Sequence, residues 1–192
     1  MLHCNIERDR HTMLTNNLPL LETDRLILRA LQPSDAPNLF EYFSQDCVTE
    51  FYDLYTFKHL HEAEKLTDIW IKRTQESKGL RWAITLKSQG DELIGTCGFH
   101  NFSTENNRAE IGYDLNPIHW GNGIMTEAIQ AIVNYGFEAL KLHRIEAFID
   151  PANHASRALL QKNGLETEGV LRDYFFEKER FVDAEMLSIL NR

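Results

Sequence analysis

The chain has 192 residues, enough for one domain with a sizeable core, and its 43% hydrophobic and 26% charged content is that of an ordinary globular protein. With 29 Asp and Glu against 20 Lys and Arg the net charge is −9, which argues against binding along a nucleic-acid backbone and fits a basic peptide or an amine as partner. Cys4, Cys47 and Cys97 form no C-x-x-C pair, so reduced thiols are expected instead of a disulfide frame or zinc site, and no apolar run is long enough to span a bilayer.

Residues 1–20 read as a polar, partly mobile lead-in to a domain over residues 21–192; MLHCNIERDRHT is too polar for a secretory leader, and Met13 is a second candidate start. A cytoplasmic protein, monomer or homodimer, is expected. Arg25–Leu31 alternates as a first strand, and Pro33, Ser34 and Asp35 end it and open a helix to about Phe43. Gln45–Phe57 is irregular and aromatic (Phe51, Tyr52, Tyr55, Phe57); His59–Ser77 carries a helical stripe of Ala63, Leu66, Ile69, Trp70 and Arg73. From Arg81 the period drops to two. Strands over Arg81–Lys87, Glu92–Phe102 and Arg108–Leu115, joined by polar turns, make an antiparallel meander.

A proline turn and two glycines then lead into a helix to Lys141, with Ile129, Ile132, Val133 and Gly136 on one face. Arg144–Asp150 is the next strand, and Asn153–Asn163 a short helix with Asn153 as N-cap and Gly164 just past its end. Leu165–Leu171 and Arg180–Leu190 close the chain as strands around a charged connector. The order β-α-α-β-β-β-α-β-α-β-β predicts an α+β fold, a single domain with a mixed, mostly antiparallel twisted sheet and helices on both faces.

Gly121 and Gly123 allow a tight bend that aims free N–H groups at one spot, where the helix dipole adds positive character. That design suits an anion, above all phosphate. No lysine follows as in G-x-x-x-x-G-K-[ST], and Thr126 stands where G-x-G-x-x-G needs its last glycine. A lysine-free pyrophosphate clamp and a plain helix entry remain.

Three segments resemble the GCN5-related N-acetyltransferases (GNAT), in the branch that acetylates ribosomal-protein alanine N-termini: Leu20–Arg29, Ala109–Ala128 and Asn153–Leu171. The family's Q/R-x-x-G-x-G/A pattern falls on Trp120, Gly121, Asn122, Gly123, Ile124 and Met125, with Trp120 and Met125 departing from it. The resemblance implies acetyl-CoA as co-substrate, with no metal. The amides of Asn122 to Thr126 would contact pyrophosphate, helped by the Thr126 hydroxyl, with Met125 turned into the core. Tyr113 and Leu115 would offer backbone groups to the pantetheine arm where their strand splays from Ile145–Ile149. Their side chains are expected to be core packing.

On the later helix, Asn153 reads as a cap, a coenzyme contact, or both, and the resemblance makes Ser156 the hydrogen-bond donor to the coenzyme sulfur. No tyrosine of the kind many relatives carry occurs from Asn153 to Asn163. A neutral amine must attack, so a base is needed. Glu110 is the first candidate, against a salt bridge with Arg108 or Arg144; His100 ranks second, and Asp173 and Glu177 follow. Direct attack is expected, since no cysteine sits at a motif position. The four aromatic residues from Phe51 to Phe57 either wall the acceptor or pack under a loop, and Arg172–Arg180 lacks the glycine relatives often carry there. The expected function is acetyl transfer from acetyl-CoA to a primary amine, with a protein N-terminal α-amine foremost. A small-molecule amine, a non-catalytic acyl-CoA sensor and an ATP-binding protein are the alternatives.

Overall fold

The computed structural model describes residues 18–192. The lead-in up to residue 17, with Cys4 and Met13, lies outside the described residues. In chain order the elements are β1 (Leu21–Glu22), β2 (Leu26–Ala30), α1 (Ala36–Phe43), α2 (Asp46–Thr49), α3 (Leu60–Gln75), β3 (Gly79–Leu86), β4 (Leu93–Ser103) and β5 (Arg108–Leu115). There follow α4 (Ile124–Glu138), β6 (Arg144–Ile149), α5 (His154–Lys162), β7 (Glu166–Glu177) and β8 (Arg180–Leu190). No helix among the described residues is long and apolar enough to cross a membrane.

The eight strands form one sheet in the order β1-β2-β3-β4-β5-β6-β8-β7. Every neighbour pair is antiparallel except β5 with β6. The alternation in the meander directs side chains to two cores, since successive strand residues face opposite ways. Trp82, Cys97 and Ile111 face α4 and α5, where Ile129, Ile132 and Leu160 complete the larger core. Ala83 and Leu93 face α1 and α3, meeting Leu39, Tyr42, Phe43 and Ala63. Each fully buried Leu, Ile or Phe in these layers contributes about 1.5–3 kcal/mol. The fold is therefore the expected α+β arrangement with helices on both faces.

The structure differs from the sequence reading at three places. Leu18 is buried and Trp82 Nε1 donates to Pro19 O at 2.8 Å, so the end of the expected lead-in is packed against β3. The irregular aromatic stretch contains the one-turn helix α2. The connector expected over 172–179 is mostly strand: β7 runs to Glu177 and turns into β8 through Lys178 and Glu179 alone. Two-residue hairpin turns of this hand need positive φ at both residues, and these two take φ 47° and 66° without glycine or asparagine.

One departure from regular pairing positions the site. Strands β5 and β6 pair only at Arg108↔Arg144, Ala109↔Ile145 and Glu110↔Glu146. Beyond Glu110, β5 stays with β4 as far as Gly95↔Leu115, while β6 stays with β8 as far as Ile149↔Glu185. The two strands diverge, and the sheet opens between them.

Candidate active site

A cleft of about 820 Å³ fills this opening, from the glycine turn before α4 to the loop after α2 and the β7–β8 hairpin. Of the residues singled out in the sequence, Glu110, Tyr113, Leu115, Trp120, Gly121, Gly123, Ile124, Met125, Thr126, Asn153 and Ser156 line it. Asn122 does not; its carbonyl accepts from Arg25 Nη1 at 3.0 Å.

At the turn, Gly121 and Gly123 hold φ 75° and 72°, the left-handed region that glycine enters without steric cost. Gly123 is the N-cap of α4 and brings no side chain to bond the first-turn N–H groups. Those donors are left for another acceptor, which is the fit an incoming phosphate requires. Met125 is buried, as expected. The turn is tied to the connection between β1 and β2 by side chains far away in the sequence. Glu127 accepts from Thr23 Oγ1 at 2.5 Å and from Arg25 Nε at 2.6 Å, while Arg25 also bonds the Asn122 carbonyl. Burial works to raise the Glu127 pKa, but the bonds from Thr23 and Arg25 outweigh it and hold the carboxyl below its ordinary range.

Along β5 the two faces carry different chemistry. Asn116 N–H bonds back to Ile94 O on β4, so alternation turns the amides of Tyr113 and Leu115 toward the gap. One of the groups expected to be free is taken: Trp120 Nε1 donates to Leu115 O at 2.8 Å. Tyr113 also corrects its expectation as plain packing. Its ring leans on the α4–α5 core, but its hydroxyl reaches into the cleft and lies 2.5 Å from Ser156 Oγ. Burial pushes the phenol pKa up to about 12, with the Ser156 bond pulling the other way. Asn153 is the cap it was expected to be, its Oδ1 accepting from Ser156 N at 3.0 Å.

The opposite face of β5 presents Glu110, Gly112 and Asp114. Glu110 accepts from Asn101 Nδ2 at 3.0 Å and lies 3.4 Å from His100 Nε2, so two candidate bases meet across the strand pair. The alternative salt bridge to Arg108 or Arg144 is not made: both arginines bond Glu146, at 3.2 and 2.5 Å. Burial alone would raise the Glu110 pKa, but the His100 and Asn101 bonds hold it below the ordinary carboxylate range. Gly112 leaves the room this needs, since a Cβ there would lie 3.1 Å from both His100 Cε1 and Arg81 Nη1.

Beneath the cleft floor Asp114 accepts from Tyr42 Oη at 2.6 Å, Thr96 Oγ1 at 2.7 Å and Arg81 Nη2 at 2.5 Å. Arg81 also bonds Tyr52 Oη at 3.2 Å and lies 4.4 Å from the Trp70 ring centroid. This network pins Tyr52, whose phenol burial pushes up to about 12 against the pull of Arg81. The aromatic stretch divides its labour: Phe51 and Tyr52 line the cleft, Phe57 stacks on Phe43, and Tyr55 is exposed. Across the mouth, Lys178 Nζ donates to Thr49 O at 2.7 Å and ties the hairpin tip to α2. Glu177 lines the cleft with its pKa raised, by burial first and then by the carboxylates of Asp53 and Asp150. Asp173 is exposed and outside the cleft lining. Cys47 lines the cleft and Cys97 is buried, both as free thiols. Among the described residues no group of three or more His, Cys, Asp or Glu is placed to hold a metal ion.

Comparison with known proteins adds four findings. Residues 25–166 match the model of the Acetyltransferase (GNAT) domain. The chain is 43% identical over 172 residues to the uncharacterized N-acetyltransferase YoaA of Bacillus subtilis (strain 168), covering 90% of this chain and 97% of that protein. It is 27% identical to the [ribosomal protein uS5]-alanine N-acetyltransferase of Escherichia coli (strain K12), covering 80% of this chain and 81% of the other. Its fold superposes on RimL, a ribosomal L7/L12 alpha-N-protein acetyltransferase solved with coenzyme A, at a TM-score of 0.79 and 22% identity, covering 90% and 98% of the two chains.

Proposed function

The chain belongs to the GNAT acetyltransferase family, and from that premise we propose that it carries an acetyl group from acetyl-CoA to a primary amine, a protein N-terminal α-amine before others, by direct attack. The observation that carries the reading is the opened β5–β6 gap. The uncapped start of α4 stands at one end, Ser156 on one face, and the Glu110–His100 pair on the other.

The residues divide the work accordingly. The first-turn amides of α4 hold the pyrophosphate, and the gap-facing amides of Tyr113 and Leu115 hold the pantetheine arm, less the Leu115 carbonyl that Trp120 occupies. The amine enters beside Phe51 and Tyr52 from the side where Glu110 lies. As nitrogen bonds to the acetyl carbon, Glu110, ionised at neutral pH, takes the proton that nitrogen sheds, directly or through one water. The carbon–sulfur bond then breaks, and the Ser156 hydroxyl donates a hydrogen bond to the sulfur as it leaves with the electron pair. Asp53, Asp150 and Glu177 along the mouth favour a cationic acceptor. The E. coli uS5-alanine enzyme among the relatives supports a protein N-terminus.

The test starts with thermal stability. Ligand at 100 times its Kd contributes about 2.7 kcal/mol, which for a domain of this length raises Tm by roughly 5–11 °C. A rise with acetyl-CoA and none with ATP is expected, followed by acetylation in a panel of N-terminal peptides and small amines. No rise at saturation would remove the coenzyme assignment. A rise without transfer to any amine would leave an acyl-CoA sensor.

A further inference from the structure

We propose that Tyr113 is a positioning residue for the transfer: its phenol donates to Ser156 Oγ and so turns the one serine proton toward the departing sulfur. The inference rests on the acetyl-transfer reading of the cleft and adds a second hydroxyl to it. Tyr113 Oη and Ser156 Oγ are 2.5 Å apart, and both residues line the opening between β5 and β6.

A serine hydroxyl has one proton and two lone pairs. If serine donated to tyrosine, its one proton would be spent inside the protein and the serine would have none left for the sulfur. A phenol is the stronger acid of the two alcohols, so the favoured polarity has Tyr113 donating and Ser156 accepting. Burial keeps the phenol protonated, hence a donor, throughout the working pH range. Bonds in such a chain polarise one another, so a serine that accepts from a phenol is also the better donor.

Both ends are fixed independently. Tyr113 sits on β5 in register with Cys97, its ring against the α4–α5 core. Ser156 is held at the third position of α5 by the Asn153 cap on its own amide. The hydroxyls thus meet without either side chain having to search for the other. A tyrosine is also supplied to the serine from a strand 43 residues upstream instead of from the helix itself.

The test reads the thiol of bound coenzyme A and needs no acceptor. The thiolate is titrated by its ultraviolet absorbance on the intact protein, with desulfo-CoA as blank, in the native protein, Tyr113→Phe, Ser156→Ala and the double variant. Loss of the phenol proton is expected to weaken the preference for bound thiolate about tenfold, the scale of one hydrogen bond to a charged group. The double variant is expected to titrate like Ser156→Ala alone, because Tyr113 acts only through that serine. With a working acceptor, Tyr113→Phe lowers kcat and leaves KM for acetyl-CoA within about threefold. Tyr113→Phe titrating like the native protein, or the two losses adding in the double variant, would overturn the proposal and leave the coenzyme site standing. Native protein that binds no coenzyme A would bring down the acetyl-transfer reading, and this proposal with it.

Discussion

Asp114→Asn is the sharpest probe of the network under the cleft. The substitution keeps the shape of the side chain and removes its charge, leaving the Arg81 guanidinium buried over Trp70 without a counter-charge. Breaking one partner of such a pair costs about 3–5 kcal/mol. The low end, about 3 kcal/mol, applies here because asparagine still offers an acceptor to Tyr42 or Thr96. Out of a net stability of about 5–15 kcal/mol the protein stays folded, with Tm lowered by roughly 6–12 °C. Urea unfolding followed by tryptophan fluorescence measures the loss. Removing both charges, Arg81→Met with Asp114→Asn, leaves no buried charge behind and keeps an acceptor for Tyr42 and Thr96, so it is expected to cost less than the single change. A single-variant loss below about 1 kcal/mol, or a double variant as costly as the sum of its parts, would refute the reasoning.

The site makes three further predictions. Gly123→Asn and Gly123→Asp suffer the same backbone strain at φ 72°, but only the aspartate repels pyrophosphate, so acetyl-CoA affinity measured by calorimetry should fall at least tenfold further in the aspartate variant; equal losses would detach the turn from phosphate binding. Because the Glu110 pKa lies below its ordinary range, the carboxylate is a ready base above that value and fails as pH falls through it; Glu110→Gln should lower kcat by about 10²–10⁴ and abolish this acid limb, and a retained limb would assign the base elsewhere. Glu168 is held to about 2 by Arg144 first and by Ser188, so its contribution to stability is complete above the unfolded value near 4.3 and is lost as pH falls toward 2; the gap in unfolding midpoint between native protein and Glu168→Gln should close over that window, and a constant gap would show that the carboxylate charge is not its source.

Much of the site was legible because it is local. The glycine turn, the buried Met125 and the Asn153 cap each rest on neighbours within one helical turn, and periodicity or turn chemistry exposes such features directly. The pairings that shape the cleft are not local. Arg25 with Glu127, Tyr113 with Ser156, and Lys178 with Thr49 are brought together by sheet order, and nothing in the spacing of those residues announces them. Arg81 is a plain example. In the chain it opens a strand; in the fold it is a buried cation with a carboxylate and two aromatic side chains around it. The hairpin was misread for a different reason, since Lys178 and Glu179 adopt a turn conformation that their residue types do not advertise.

The tie from Lys178 to Thr49 spans 129 positions, and it joins two stretches of chain that flank, on either side, the segments proposed to hold the coenzyme. On the proposed reading, the walls beside the amine come from the loop after α2 and the last hairpin, with Glu110 from β5, while the segments that would hold the coenzyme lie between those two stretches. Two consequences follow for how such an enzyme changes over generations. On that reading, substitutions in these two stretches would alter the choice of amine without touching the segments that would hold the coenzyme. The tie between them rests on the Lys178 side chain and a backbone carbonyl that any residue at position 49 supplies, so a change at Lys178 would loosen one stretch from the other.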